Sequence, residues 1–390
     1  MDKIIPYFIA AALSILAYWL FIPAKHRRLF LLFCSLLFVS TYSILYALYF
    51  LFNCLVIFYS GLAINRQPGF GKKILRCVIV WLLGNLIFFK ICTSQRSLWE
   101  ALSGREFISI LFPVGLSYIV FRMVHYLVEI HRKNIQPVAF TDFANYVLFF
   151  PTFLAGPIEK IQNFYQQPED AVEFNNQKFN YGLFRIIIGV LKKAFIADTL
   201  IRLSMPVFLS CGLFPKATVI FCIYALAFGV FFDFAAYTDI AIGVSALFGY
   251  SIMENFNKPY LQKNVALFWR SWHISLYCWL RDYLFFSFAG TQASIFKLYA
   301  GILLTLLASI LWHSLTPGFF ILGLYYGLGL VIWQLFQKLK QRSLRIKCFF
   351  SQRWLDPLAV FLTISFISFG LVFIFVDIAY SIDIIKHLFT

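Results

Sequence analysis

The chain has 390 residues, of which 61% are hydrophobic, 20% aromatic and only 13% charged, against roughly 25% charged in a soluble domain. This excludes a water-soluble enzyme and leaves no room for a sizeable extramembrane domain, since at about 20 apolar residues per crossing the length holds about ten spans and little else. The formal net charge of +16 does not mark a nucleic-acid binder, because the cations sit in short clusters between apolar runs, as topology signals do.

In chain order, apolar runs fall near 4–22, 29–64 (long enough for two spans), 74–92, 107–130, 143–157, 180–210, 218–249, 265–289, 294–315, 317–336 and 357–380. AKHRR follows the first run with no small-residue cleavage pattern, which predicts a retained span rather than a signal peptide. Basic clusters at Lys25, Arg27 and Arg28, at Arg66, Lys72, Lys73 and Arg76, at Arg132 and Lys133, and from Lys338 to Arg353 are expected on the cytoplasmic side, with both termini outward. The predicted fold is all-α, a polytopic transmembrane bundle of about 10–12 helices including short or re-entrant ones. It forms a single integral-membrane domain over 1–390, with N-terminal spans in 1–106, a basic cytoplasmic loop at 337–356 and a final span at 357–380. The stretch 158–180, EKIQNFYQQPEDAVEFNNQKFN at its core, is the most polar and reads as a loop with short interfacial pieces. Eight scattered cysteines without a CxxC indicate neither a zinc site nor a disulfide frame. No internal repeat supports the inverted-repeat logic of many carriers.

From residue 231 onward ionisable groups interrupt the apolar background: Asp233, Asp239, Glu254, Lys258, Arg270, His273, Arg281, Asp282 and His313. Each charge at the centre of a helix in lipid would cost about 2.5–3.5 kcal/mol, so a shared polar cavity is the economical expectation. FWRSWHISLYCWLRDYLFF, 268–286, reads as one helix. At about 100° per residue Trp269, His273, Tyr277 and Arg281 line one stripe and Asp282 points away from His273. Arg281 and Asp282 are then structural or belong to another wall. In FFDFAAYTDIAIGVSALFGY, 231–250, Asp233 and Tyr237 stand one helical turn apart, either lining the cavity or satisfying backbone where spans break. SIMENFNKPYL, 251–261 and containing Asn255, is a connector.

His313 lies in LASILWHSLTPGFFILGLYYG, 307–327, four residues before Pro317, which cannot donate to its carbonyl; Thr316 is pushed out of helical geometry. The histidine therefore sits in the last turn of a helix or at a kink, where the partial negative charge of the helix end favours imidazolium. Taken alone, such a histidine is either a hydrogen-bonded packing residue or a proton-transfer group.

These stretches together resemble a known family. FFDFAAYTDIAIGVSALFGY, MENFNKPYL, FWRSWHISLYCWLRDYLF and LWHSLTPGFFILGLYYG, preceded by FPVGLSYIVFRMVHYLVEIHR, LFFPTFLAGPIEKIQNF and GVLKKAFIADTL, are similar in order to the signatures of the membrane-bound O-acyltransferases. The similarity lies with the bacterial branch that modifies teichoic acid with D-alanine or alginate with acetate. It covers about residues 107–330, the expected catalytic core. Departures are small: Ser314 stands where many relatives have glycine after the histidine, as does Ala236 in FFDFAAY. The shorter chain leans towards D-alanyl-transfer-like size.

The resemblance implies a helical core enclosing a tunnel in a bacterial cytoplasmic (inner) membrane. A thioester donor, on an acyl carrier protein or coenzyme A, would arrive from the cytoplasm and a hydroxyl of an extracytoplasmic glycopolymer from outside. His313 then matches the catalytic histidine, in a buried chamber, and His273 the second active-site position. Asp233, Tyr237, Asn255, Trp269, Tyr277, Arg281 and Trp312 are candidates for the tunnel wall. No bound cofactor or metal is implied. The lipid bilayer and a secreted or periplasmic acyltransferase are further expected partners, and nucleic acid is not. Two other readings stay open at this point: a transporter or channel whose midplane polar residues line a path, and a passive acyl conduit for a separate transferase.

Overall fold

The computed structural model describes residues 5–94, 113–165, 173–292 and 294–390; 107–112 of the run expected at 107–130, and 166–172 of the polar stretch, lie outside them. The described residues are helical, with no β-strand and a lone antiparallel bridge between Phe256 and Trp272. The principal helices are α1 (Ile5–Leu20), α2 (Arg27–Ser40), α3 (Ile44–Arg66), α4 (Pro68–Ser94), α5 (Leu116–His131), α6 (Phe140–Leu148), α7 (Asn176–Leu191), α8 (Asp198–Leu209), α9 (Lys216–Leu247), α10 (Val265–Ser271), α11 (Ile274–Leu280), α12 (Ile295–Leu311), α13 (Pro317–Arg342), α14 (Asp356–Gly370) and α15 (Ile378–Phe389). Five segments among the described residues are long and apolar enough to cross a membrane: Ile44–Arg66, Gly69–Thr93, Lys216–Leu247, Pro317–Arg342 and Arg353–Phe375. The chain is thus an all-α polytopic membrane protein.

The run 29–64 divides, as its length predicts, at a turn where the Ser43 hydroxyl caps α3 by accepting from the Leu45 N–H at 3.2 Å. Three details differ from the runs read along the sequence. The run 143–157 is not one continuous helix: α6 is nine residues long and gives way to a turn at Phe150–Thr152, because Pro151 and Pro157 lack the N–H that a continuing helix needs. The basic segment 337–356 is largely helical, since α13 continues to Arg342 and Leu344–Phe349 forms a further helix. The final span ends at Phe375 rather than 380, where Val376 is extended, and α15 begins anew at Ile378.

By contacts the chain forms two compact units. The first comprises residues up to Ile187 together with Thr238–Met253. Its centre is Arg122 on α5, 1% exposed. The guanidinium donates to the carbonyls of Tyr146, Val147, Thr152 and Pro157 at 2.9–3.2 Å and to Thr152 Oγ1 at 2.6 Å. These acceptors lie where the chain leaves α6 and has lost its helical donors, so one fixed cation satisfies a turn that lipid could not. His125, one turn along α5, continues the network: its Nε2 accepts from the Ile161 N–H at 3.2 Å and lies 3.0 Å from the Gln162 side-chain amide. In the same unit α7 and α9 touch through Gly182 and Gly243: a Cβ on either would stand 2.7 or 2.6 Å from the other's carbonyl oxygen. Close by, Arg185 pairs with Asp239 at 2.6 Å.

The second unit comprises Ile188–Tyr237 and Glu254–Thr390. Its core gathers Ala227, Tyr260, Phe268, Leu306, Ile310, Leu322, Tyr326 and Ile367. Buried phenols find backbone acceptors, Tyr260 on Ala227 at 3.0 Å and Tyr326 on Ile367 at 2.7 Å, as their polar ends require. The first turn of α13 packs so tightly that a Cβ on Gly318 would lie 2.0 Å from the Phe373 carbonyl oxygen.

Two outcomes follow for stability. Arg122→Met leaves buried carbonyls without donors and should destabilise the protein by about 3 kcal/mol or more, seen as a lower unfolding midpoint in detergent; an unchanged midpoint would show that the turn holds itself. Gly318→Ala forces backbone apart and should cost about 1–3 kcal/mol in the same melt.

Candidate active site

Both histidines of the candidate site, and Asn255, belong to the second unit. The helix expected over 268–286 is broken at the histidine. After α10, Trp272 is extended (φ −105°, ψ 127°) and His273 takes the left-handed conformation (φ 46°, ψ 55°) before α11 begins. The connector supplies the reason: Phe256 bridges to Trp272, the Asn257 N–H donates to Ser271 O at 3.0 Å, and the Ile274 N–H donates to Asn255 O at 2.9 Å. These bonds replace helical ones. A left-handed non-glycine residue costs about 1–3 kcal/mol and persists only where its surroundings over-determine it. The stripe of Trp269, His273, Tyr277 and Arg281 therefore does not exist, because no continuous helix carries it.

His273 is 4% exposed and Asn255 fully buried. Asn255 Oδ1 accepts from the Ser275 N–H at 3.2 Å and from Ser275 Oγ at 2.8 Å, and lies 3.1 Å from His273 Nδ1. Because a backbone N–H can only donate, that side-chain atom is the amide oxygen. His273 Nδ1 must then carry the proton, which leaves Nε2 of the neutral ring as an acceptor. The ring stands edge-on to Phe234, centroids 4.7 Å apart. Asn255 Nδ2 has no hydrogen-bond partner among the described residues.

His313 follows directly on Trp312, the C-cap of α12, and its N–H donates to Ile310 O at 3.1 Å. Thr316 is extended (φ −103°, ψ 158°) and Pro317 opens α13, as the proline predicts. The expectation of a buried base is corrected: the His313 side chain is exposed, because the chain has already left the helix and runs as an open turn to Pro317. Its ring packs 4.1 Å from Trp312 and 6.4 Å from Phe319.

The other candidates divide among separate neighbourhoods. Asp233 pairs with Lys193 at 2.6 Å, and Lys193 also holds Asp198 at 2.9 Å. Tyr237 lies one turn further along α9 and is half-buried. Trp269 packs on Tyr326 at 5.0 Å. Arg281 pairs with Asp282 at 2.7 Å and lies 6.0 Å from the Tyr277 ring centre, in keeping with a role apart from His273. Asp233, Asp239, Arg281 and Asp282 are thus engaged in ion pairs, and of the wall candidates Asn255 makes the hydrogen bond to a site histidine while Trp312 packs on the other. Reading the sequence missed Lys193 and Ser275. Lysine in the apolar run 180–210 was the available signal for the first; nothing marks the second.

Comparison with known proteins gives the family. Residues 72–376 match MBOAT, the membrane-bound O-acyltransferase family. The chain is 33% identical over 342 residues to the probable alginate O-acetylase AlgI of Azotobacter vinelandii, covering 83% of this chain and 65% of that protein. It is 31% identical over 271 residues to the teichoic acid D-alanyltransferase of Bacillus subtilis (66% of this chain, 67% of that one). To the peptidoglycan O-acetyltransferase of Helicobacter pylori it is 30% identical over 349 residues (78% and 64%). The chain spans just under two thirds of the length of the alginate relatives it matches most extensively. With the family match running through both histidines and the connector that holds one of them, the chain belongs to the membrane-bound O-acyltransferase family.

Proposed function

We propose that this protein transfers a small acyl group, acetyl or D-alanyl, from a thioester presented on the cytoplasmic side to a hydroxyl of an extracytoplasmic glycopolymer, in a bacterial cytoplasmic membrane. The observation that carries the reading is a buried imidazole, His273, held by the Asn255 amide in the same unit as an exposed imidazole, His313. Family membership supplies the reaction class.

An alcohol is a weak nucleophile at neutral pH, so a base that takes its proton during attack on the thioester carbonyl contributes about 10²- to 10⁴-fold. His313 is the base in this reading, and its exposure on the turn before Pro317 supports it. Its position past a helix carboxyl end favours the imidazolium that forms. His273 has neutral partners, Asn255 and Ser275, and neither offsets a buried positive charge. A neutral ring whose Nδ1 proton is committed presents a lone pair at Nε2, so it accepts from a neighbouring hydroxyl of the acceptor, orienting the substrate while the single proton of the reacting hydroxyl is left to His313. On attack the acyl carbon bonds to the alcohol oxygen, the C–S bond breaks, and the proton on His313 passes to the departing thiolate. No serine or cysteine nucleophile enters this route. The donor is carried by an acyl carrier protein or coenzyme A, and a secreted partner acyltransferase could receive the product.

For His313→Ala, acyl transfer by purified protein should fall about 10²- to 10⁴-fold while the unfolding midpoint holds; full turnover would remove the mechanism, and solute flux in liposomes without thioester consumption would make the protein a transporter. Asn255→Ala frees the His273 tautomer and should lower kcat by about 10²-fold through misplacement of the ring, with little change in acceptor KM. Asn255→Asp should restore part of kcat with a shifted pH profile, because a carboxylate still accepts from Nδ1 but also supports imidazolium. If both variants keep the wild-type profile, Asn255 does not set the tautomer.

A further inference from the structure

Beyond the histidines, the second unit holds a cleft of about 660 Å³ where the start of α13 faces the segment 373–380. That volume lies within the range of small-ligand sites. It reaches the candidate site: Thr316, three residues after His313, lines it, and so does Phe319, whose ring neighbours that of His313 at 6.4 Å. The positive-inside rule assigns the basic end of α13, with Lys340 and Arg342, to the cytoplasmic side and so the Pro317 end to the outer one, the side from which a polymer would come in the proposed reaction.

Its chemistry is specific. Asp377 and Tyr380 line one wall and are exposed. The Asp377 carboxylate makes no cap bond to α15 and, among the described residues, no ion pair. No lysine, arginine or histidine among the described residues lines the cleft. The amino end of α13 contributes a partial charge of about +0.5, which a full carboxylate charge outweighs. A chain bearing a uronate or phosphodiester at each residue would therefore enter against net negative charge, with no cation to receive it. An uncharged sugar meets what it can use: aromatic faces of Phe319 and Tyr380 for its C–H surface, and a carboxylate that accepts from paired hydroxyls.

The geometry points to this cleft as the acceptor subsite, selective for an uncharged, hydroxyl-bearing stretch of glycan. This rests on the acyltransfer reading and narrows it to a substrate class. The test is equilibrium binding to the purified full chain at low ionic strength, using short oligomers of equal length: a neutral hexose oligomer, a uronate oligomer and a glycerol-phosphate oligomer. The neutral oligomer should bind about tenfold more tightly than either anion, the order of one poorly screened like-charge contact. Asp377→Asn, which keeps a capping residue at that position, should erase the difference, and Asp377→Lys should invert it. Tyr380→Ala should weaken the neutral oligomer by a similar factor. Anionic oligomers binding as tightly as the neutral one, a preference unmoved by Asp377→Asn, or no binding by any of the three would overturn the proposal. Binding needs no donor and no His313, so a preference that survives while His313→Ala leaves transfer intact would sink the mechanism and spare the cleft.

Discussion

The buried amide of Asn255 is the contact on which the arrangement of the site depends. Its backbone carbonyl takes the N–H of Ile274 and its side-chain oxygen takes Ser275 and His273, so one residue both substitutes for the helical bonds lost at the break and fixes the buried ring of His273. Irregular backbone at membrane depth is tolerated only where protein supplies its hydrogen bonds. Here the connector 254–257 is that protein. An unbroken helix would satisfy its own backbone equally well but would give Asn255 no Ser275 or His273 to hold.

The second histidine is positioned by subtraction. Pro317 cannot donate to the carbonyl of His313, α12 ends at Leu311, and α13 starts afresh, leaving a short turn with His313 at its head. Gly318 then lets the first turn of α13 sit against the Phe373 carbonyl, which anchors the far side of that turn. The outcome is two rings in unlike settings, one buried with a committed proton and one open to an incoming molecule. A reaction that must hold one group still while a proton leaves another needs that asymmetry.

Much of this could be read from residue order alone, and the misses have physical causes. Hydropathy located the long helices, and Pro317 with Thr316 gave the end of α12, because proline acts locally. The break at His273 was invisible: FWRSWHISLYCWLRDYLFF has no glycine or proline to mark it, and its spacing suits a helix as well as any. What breaks it is the pairing of Phe256 with Trp272, a tertiary contact that no local propensity encodes. Arg122 was present in a quoted stretch, but the acceptors that explain it lie more than twenty residues on. Of the polar residues from 231 onward, Asp233 and Asp239 find their partners, Lys193 and Arg185, in a different helical run, so local sequence does not reveal the pairing.

That pairing shapes the chemistry available to His273. Phe234 packs on the imidazole while the preceding residue, Asp233, is turned to Lys193; successive helix positions diverge by about 100°, enough to aim one at the ring and the other away. A carboxylate beside His273 would hold it as imidazolium, with no lone pair to offer a hydroxyl. Neutralising Asp233 on Lys193 removes that competitor, and Asn255, isosteric with aspartate but uncharged, takes the place a carboxylate would otherwise fill. The neutral amide thus orients the ring as an aspartate would, without charging it.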